Sequence, residues 1–458
     1  MIKRTLHDLQ QMIHGAELVG ESNLSIHGVS INSRDDLAGK LFIPIKGERF
    51  NGHKFVKDAF QKGAVASLWE KNELDYPKDV PLIMVEDTVA AIQQLSQAYR
   101  NELNVKVVGV TGSNGKTSTK DMVYAVLSSV FNVQKTEGNL NNHLGLPLSI
   151  LKAAEDTEVL VLEMGMSSRG EIELLSKIAE PDAAIITNIG ESHLQDLGSR
   201  EEIAEAKLEI TAGLKDHGAL IYFGDEPLLQ ERVGRYEHAK LISFGQENTN
   251  DYYPNVVMQD RSGTTFSSNK ALQSFYIPVL GKHNVYNALA AVAVGQAFDV
   301  PLKDIVSGLS KLELTQMRAE VIPGRNGSTI INDAYNASPT SMKAAIKLLQ
   351  DLEGYREKYL VLGDMLELGD LEEEFHLETG KTVDPTKVDY VYTYGNLGQW
   401  IARGAKEKLG VGRVKSFLDK NELVRELVSV IGEKDAILVK ASRGMKLEEV
   451  VEALKGDG

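Results

Sequence analysis

The stretch Val107-Val-Gly-Val-Thr-Gly-Ser-Asn-Gly-Lys-Thr-Ser118 decides the fold of this chain. An apolar run, Val105 to Val110, leads into a loop carrying Gly112, Ser113, Asn114 and Gly115. Lys116, Thr117 and Ser118 follow, and then an amphipathic segment with Met122, Val123, Val126, Leu127 and Val130. That order reads strand, glycine loop, helix. Backbone N–H groups at a helix N-terminus bind phosphate, a lysine there matches its charge, and a threonine hydroxyl can ligate Mg²⁺. The strict pattern wants glycine at position 110, where this chain has valine, so the match is to the shorter GxxGKT. Such a loop alone is often only a tight turn. The flanking strand and helix favour phosphate binding.

Outward from the loop, the chain divides into three blocks. Residues 1–102 hold short strands (26–31, 40–45, 64–68, 82–85) and a closing helix from Thr88. This is the expected N-terminal domain. Residues 103–313 alternate strand and helix, with near-continuous apolar strands at 105–110, 159–164, 183–189, 219–223 and 241–244. Such strands indicate a mostly parallel sheet covered on both faces. A polar alternating stretch at 250–274 suggests a small antiparallel excursion, and an Ala-rich helix at 284–298 closes the block. Residues 314–458 form a third α/β block with strands at 329–333, 359–362, 390–394 and 436–440. Ser338 and Pro339 mark the start of one of its helices. The expected fold class is α/β with three domains: a smaller N-terminal α/β domain, a central P-loop domain and a C-terminal Rossmann-like domain.

Composition removes whole classes of function. The chain has 458 residues, with 50 basic against 65 acidic side chains, a formal charge of −15. Non-specific nucleic-acid binding is disfavoured. There is no cysteine, which excludes disulfides, thiolate zinc sites and thiol catalysis. Met1-Ile-Lys-Arg-Thr-Leu-His-Asp8 lacks the apolar core of a signal peptide, and no apolar run is long enough to span a bilayer. The expected location is the cytoplasm, and the sequon at Asn336, followed by Pro339, is then a coincidence.

Several residues invite chemistry. Glu163 ends the apolar run Val159-Leu-Val-Leu-Glu163. A buried carboxylate is costly unless paired or metal-bound, and ligands bind at the carboxyl edge of such sheets. His193 follows the strand at 183–189 on the same edge. Lys207, in a helix capped by Ser199 with Glu202 as a capping-box partner, reads by pattern alone as a snorkelling lysine. Asn284 and Asn287 lie three apart at a helix start. They suit capping, and also an adenine edge. Asp333 sits where an acidic group can meet ribose hydroxyls. Arg318 lies just past the second boundary.

Taken together, Thr111–Thr117, Leu162-Glu-Met-Gly165, His193, Ala206-Lys207, Gly281-Lys-His-Asn284 with Asn287, Arg318 and Asn332-Asp-Ala-Tyr-Asn-Ala-Ser-Pro339 resemble the Mur ligase family of ATP-dependent amide-forming enzymes. The resemblance spans essentially the whole chain, in order. Asn332–Pro339 and Leu362-Gly-Asp-Met-Leu-Glu-Leu-Gly369 are in the style of the member that uses D-Ala-D-Ala. The alternatives are another Mur-type ligase, a folylpolyglutamate synthase-like ligase, or a P-loop switch with no amide chemistry.

The resemblance implies that ATP activates the terminal carboxylate of a UDP-MurNAc-tripeptide as an acyl phosphate, which the amine of D-Ala-D-Ala then attacks. It implies phosphate contacts from Gly112 to Ser118, one Mg²⁺ on Thr117 and Glu163, and a second on His193 and a carbamylated Lys207. Asn284 and Asn287 would face adenine, Asp333 the ribose and Arg318 the γ-phosphate after domain closure. The UDP-substrate contacts implied are Ser33, Arg34, Lys46, Gly47 and His53. Thr136, Asn139 and Asn142 would touch the muramoyl part, and Tyr335 and Asn336 would lie near the acceptor. Asn51 stands where the family often has Asp. The expected state is a monomer.

Overall fold

The computed structural model describes residues 1–48 and 50–456. Arg49, within the Lys46–His53 stretch, lies outside the described residues. The loop strand, Lys106–Thr111, is near the middle of a six-stranded, all-parallel sheet. Its neighbours are Val159–Glu163 on one side and Ala183–Ile186 on the other. Val133–Lys135 forms one edge, and Ala219–Phe223 and Lys240–Phe244 complete the other. The chain thus leaves the loop strand in one direction and later crosses to its other side. This switch point opens a crevice at the carboxyl edge, and Gly112, Glu163 and the segment after Ile186 all reach it.

The helix Lys282–Ala297 packs against the loop helix, Lys116–Leu127, in an apolar core that includes Val285, Ala288, Leu289, Val292 and Val294. The expected excursion is a three-stranded antiparallel sheet, Pro254–Gln259, Thr264–Ser268 and Ala271–Ile277.

The third body is also six-stranded. Thr329–Asn332, Ala436–Lys440, Lys358–Gly363, Tyr390–Tyr394 and Val414–Phe417 run parallel, and Glu320–Pro323 is antiparallel at the edge. The edge strands Glu320–Pro323 and Val414–Phe417 escaped the sequence reading because each is short and half-exposed, without an apolar run. Ser338 caps the helix Pro339–Asp351 as expected, its hydroxyl accepting from the Ser341 N–H.

The first body has a five-stranded sheet: Val29–Ser30, Leu41–Phe42, Ala66–Glu70 and Leu82–Val85 parallel, with Glu17–Val19 antiparallel at the edge. Its closing helix, Thr88–Leu103, lies between this sheet and the central one. Ala91, Ile92, Leu95 and Tyr99 of that helix share one continuous core with Leu41 and Ile83 on one side and Leu146, Ile150 and Leu160 on the other. No helix of the described residues is long and apolar enough to cross a membrane.

Candidate active site

The glycines of the loop are dictated by crowding. Gly112 has φ +146°, and a Cβ there would lie 1.9 Å from Thr187 Oγ1. Gly115 has φ +80°, and a Cβ there would meet Asn287 Oδ1 at 2.9 Å. Both sites need a residue without a side chain. The Asn188 backbone and side chain accept from the N–H groups of Ser113 (3.1 Å) and Asn114 (2.9 Å), pinning the loop to the neighbouring strand end. Lys116 Nζ donates to Gly112 O at 2.7 Å. Burial lowers its pKa, opposed by Glu163 and reinforced by Arg318. Ser118 is buried in the first turn of the loop helix.

Glu163 is 3% exposed. Its Oε2 accepts from Thr117 Oγ1 at 3.0 Å and its Oε1 from Asn141 Nδ2 at 2.8 Å. Two neutral donors hold a buried carboxylate with no ion pair among the described residues. Asn141 was missed by sequence reading although the loop around it was singled out. Asn142 and Thr136, expected near the muramoyl part, are both engaged within the fold. Asn142 Oδ1 accepts from the Gly145 N–H at 2.8 Å, where the helix Gly145–Leu151 begins. Thr136 Oγ1 accepts from the Glu163 N–H at 3.0 Å. Asn139 is exposed.

Lys207 corrects the pattern reading most sharply. It does not snorkel: its side chain is 1% exposed and makes no ion pair among the described residues. Burial, with help from Lys116, drives its pKa well below the ordinary lysine value. The expected capping box is half formed: Ser199 accepts from the Glu202 N–H at 3.2 Å, but Glu202 turns to Arg169. His193 caps a short helix in left-handed backbone, φ +64°. Burial, then Lys207 and Lys116, push its pKa down to about 4. Its ring is therefore neutral at neutral pH, with one nitrogen lone pair to offer.

The third body closes the crevice. Arg318 Nη2 donates to Thr117 Oγ1 at 3.1 Å, and the guanidinium lies over the Tyr335 ring at 4.0 Å. Tyr335 is thus a platform for Arg318. Ser338 Oγ donates to Asn114 Oδ1 at 3.0 Å. The carboxylate of Asp333 is held by Lys440 Nζ at 2.6 Å and by the Ala319 N–H at 3.2 Å. Lys440 also holds the Asn336 carbonyl at 2.9 Å. Sequence reading missed Lys440, which lies on the strand next to the one preceding Asp333. Asn284 and Asn287 are both buried: Asn284 Nδ2 donates to Leu280 O, its Oδ1 accepts from Asn287 Nδ2, and Asn287 stands behind Gly115.

Four polar atoms around this crevice are buried without a hydrogen-bond partner among the described residues: Ser113 Oγ, Asn114 Nδ2, His193 Nδ1 and Arg318 Nε. Native structures rarely leave such atoms unpaired. Their convergence on one loop marks a place built for a polar ligand. Thr117 Oγ1 and Glu163 Oε2, 3.0 Å apart, are hard oxygen donors of the kind Mg²⁺ takes.

Among its described residues, the first body shows no comparable convergence. Ser33 and Arg34 form a turn whose Arg34 N–H is held by Asn32. Lys46 pairs with Glu73 at 2.7 Å, and Gly47 lies in the hairpin Lys46–Gly47/Phe50–Asn51. His53 is buried with both ring nitrogens engaged: Nδ1 on Asn51 Oδ1 at 2.8 Å, and Nε2 accepting from the Glu70 N–H at 3.2 Å. Asn51 thus holds the His53 ring in place. His53, Glu70 and Glu73 cluster closely enough to suggest a metal. Each is already committed, Glu70 to Thr88 and Glu73 to Lys46.

A phosphate loop at a parallel-sheet switch point, with a buried glutamate and a third body reaching across, defines a P-loop enzyme. The chain belongs to the Mur ligase family. Family models match over residues 25–100 (Mur ligase family, catalytic domain), 110–295 (Mur ligase middle domain) and 317–443 (Mur ligase, glutamate ligase domain). The chain is 53% identical over 455 residues to the UDP-N-acetylmuramoyl-tripeptide--D-alanyl-D-alanine ligase of Bacillus subtilis (strain 168), covering 99% of each chain. Among solved structures, MurF from Acinetobacter baumannii matches with TM-score 0.90 at 30% identity, over 99% of this chain and 98% of that one. The MurF ligase of Thermotoga maritima, solved in complex with ADP, matches with TM-score 0.83 at 31% identity, over 93% and 96%. These likenesses bear out the expected family and three-domain α/β fold.

Proposed function

We propose that this protein is an ATP-dependent ligase that joins D-Ala-D-Ala to the terminal carboxylate of a UDP-MurNAc-tripeptide. The supporting observation is the convergence of unpartnered buried donors from two bodies on the phosphate loop, in a chain 53% identical to a ligase of that name. The γ-phosphoryl group of ATP passes to the peptide carboxylate, giving an acyl phosphate and ADP. The D-Ala-D-Ala amine attacks the carbonyl carbon, the C–O bond to phosphate breaks, and the amine gives up a proton. Such transfer needs positioning and charge neutralisation above all. Lys116 and the loop N–H groups hold the phosphates. Arg318 delivers its guanidinium from the third body. Asp333, steadied by Lys440, takes the ribose, and Asn287, behind Gly115, sits on the adenine side with Asn284 fixing its amide. Asn336, exposed on the third body, is the acceptor-side contact.

Thr117 and Glu163 fit one Mg²⁺, which would supply charge neutralisation at the phosphates. His193 and a carbamylated Lys207 would hold a second. A lysine ammonium cannot hold a cation. Burial favours the neutral form of this amine, and a neutral amine adds to CO₂, forming an N–C bond and releasing one proton, to leave a carbamate oxygen donor. The arrangement acts as a cytoplasmic monomer, with the first body on the UDP end.

The decisive assay is phosphate release with UDP-MurNAc-tripeptide and ATP, with and without D-Ala-D-Ala. Release that requires the dipeptide supports the ligase. Release without it favours a P-loop hydrolase or switch. Lys207→Ala abolishes turnover, and a short carboxylic acid, but not bicarbonate, restores part of it. Normal activity in that variant removes Lys207 from the site.

A further inference from the structure

The segment Leu362–Gly369 of the third body is not used by the chemistry above, yet it is held with care. The Met365 N–H donates to His376 Nε2 at 2.8 Å, and the Leu366 N–H to Ser442 Oγ at 2.9 Å. His376 is itself fully buried, with Nδ1 on Glu372 O at 2.6 Å. The loop so fixed turns through Glu367 in left-handed backbone, φ +65°. It then touches the central body, where Glu367 O accepts from the Gln195 N–H at 3.3 Å. The Glu367 carboxylate comes to 3.1 Å from His193 Nδ1. Glu367 makes no other ion pair or side-chain hydrogen bond among the described residues. His193 Nδ1 has no aligned partner among the described residues. The carboxylate is at hydrogen-bond distance but off the line of the N–H, as catalytic contacts often are before a ligand tightens them.

We propose that Glu367 is a positioning residue for His193: its carboxylate takes the Nδ1–H, fixes that tautomer and leaves Nε2 free to bind metal. Metal-ligating histidines commonly give their second ring N–H to a carboxylate, which orients the ring and raises its basicity. Here the carboxylate comes from a different body. The ring is therefore held correctly only when the third body is docked, which ties completion of the metal site to docking. The inference rests on the reading that His193 is a metal ligand.

Two measurements that do not read turnover test it. The first is two-bond ¹H–¹⁵N correlation on histidine-labelled protein, with the His193 signal among the ten histidines identified by its loss in His193→Ala. The wild type shows the Nδ1–H tautomer, Glu367→Ala moves the ring toward Nε2–H, and Glu367→Gln, whose amide oxygen still accepts, keeps the wild-type pattern. An unchanged tautomer in Glu367→Ala overturns the pairing. The second is Mn²⁺ binding followed by electron paramagnetic resonance in the presence of a non-hydrolysable ATP analogue. Glu367→Ala weakens the His193-dependent site roughly tenfold or more, and Glu367→Gln changes it by less than about threefold. Loss of that site in His193→Ala with none in Glu367→Ala sinks the positioning role alone. Unchanged binding in His193→Ala sinks the metal reading beneath it. Glu367 is exposed and already left-handed, so alanine there adds no new strain or cavity.

Discussion

The joint between the first and central bodies and the joint between the central and third bodies are built from opposite materials. At the first, the helix Thr88–Leu103 buries apolar side chains on both flanks, and one core runs without a break from Leu6 and Leu9 to Ile172 and Leu175. The Tyr99 hydroxyl donates to Ala153 O at 2.8 Å, and the Ile2 N–H to Leu151 O at 2.8 Å. At the second joint, Leu280 is the one central-body residue that joins the third body's core among the described residues. The rest is polar: Arg318 to Thr117, Ser338 to Asn114, Thr340 to Glu191, and Thr315 to Asp121 at 2.8 Å. Met317 and Ala319, on either side of Arg318, both have left-handed backbone at φ +61° and +52°. Each such residue costs on the order of 1 kcal/mol or more. Apolar burial is lost wholesale when surfaces part, whereas hydrogen bonds can be returned to water at small net cost. The first joint is therefore a weld. The second is a contact that can open, and every orphaned donor of the site lies along it or beside it.

The largest effect expected is at the weld. Tyr99→Ala removes a fully buried ring and a buried hydrogen bond, costing about 3–5 kcal/mol. Because the core is shared, the first and central bodies should lose structure together. Urea denaturation in a Trp400→Phe background, followed by Trp69 fluorescence as a first-body probe and by proteolysis at the central sheet, should give coincident midpoints. Separate midpoints would break the description of this joint as one core.

Next comes the polar joint. Arg318→Ala should lower turnover by about 10²- to 10³-fold, the usual cost of removing one preorganised donor at a reacting charge. Arg318 bridges two bodies without filling a core, so the thermal midpoint should move by only a degree or two. A large loss of stability in this variant would mean that the second joint also bears the fold.

The same contrast explains what could be read from the sequence. The central strands, the loop and its helix were legible because each is a local pattern: an apolar run, a glycine pair, a periodic face. Glu163 was legible because a charge ending a buried run is locally anomalous. Lys207 was not, since helical spacing does not say how deep a face is buried, and only family resemblance placed it. Asn141, Lys440 and Glu367 act on residues 22, 107 and 174 positions away along the chain. No local pattern encodes contacts of that reach. The partners of His53 were not legible either: Asn51 is two residues away, but the Glu70 N–H reaches it only through the fold.

The smallest effect expected is with pH, and it separates the two joints most directly. His53 in the first body and His376 in the third are both held below the ordinary histidine pKa, chiefly by burial. Each accepts a backbone N–H at Nε2, so protonation breaks a buried hydrogen bond. The unfolded chain takes up these protons near pH 6.5, while the folded chain resists until lower pH. The unfolded state then binds more protons, and stability falls as pH drops below about 6.5, by at most about 1.4 kcal/mol per pH unit for each histidine. His376 fixes the loop that touches His193, so acid should loosen the third body on its own, whereas His53 belongs to the welded pair. Between pH 7.5 and 5, calorimetric melts should therefore develop an early transition that His376→Gln, which takes up no proton, makes insensitive to pH. A single transition at every pH would show that the third body is coupled to the others as tightly as the first.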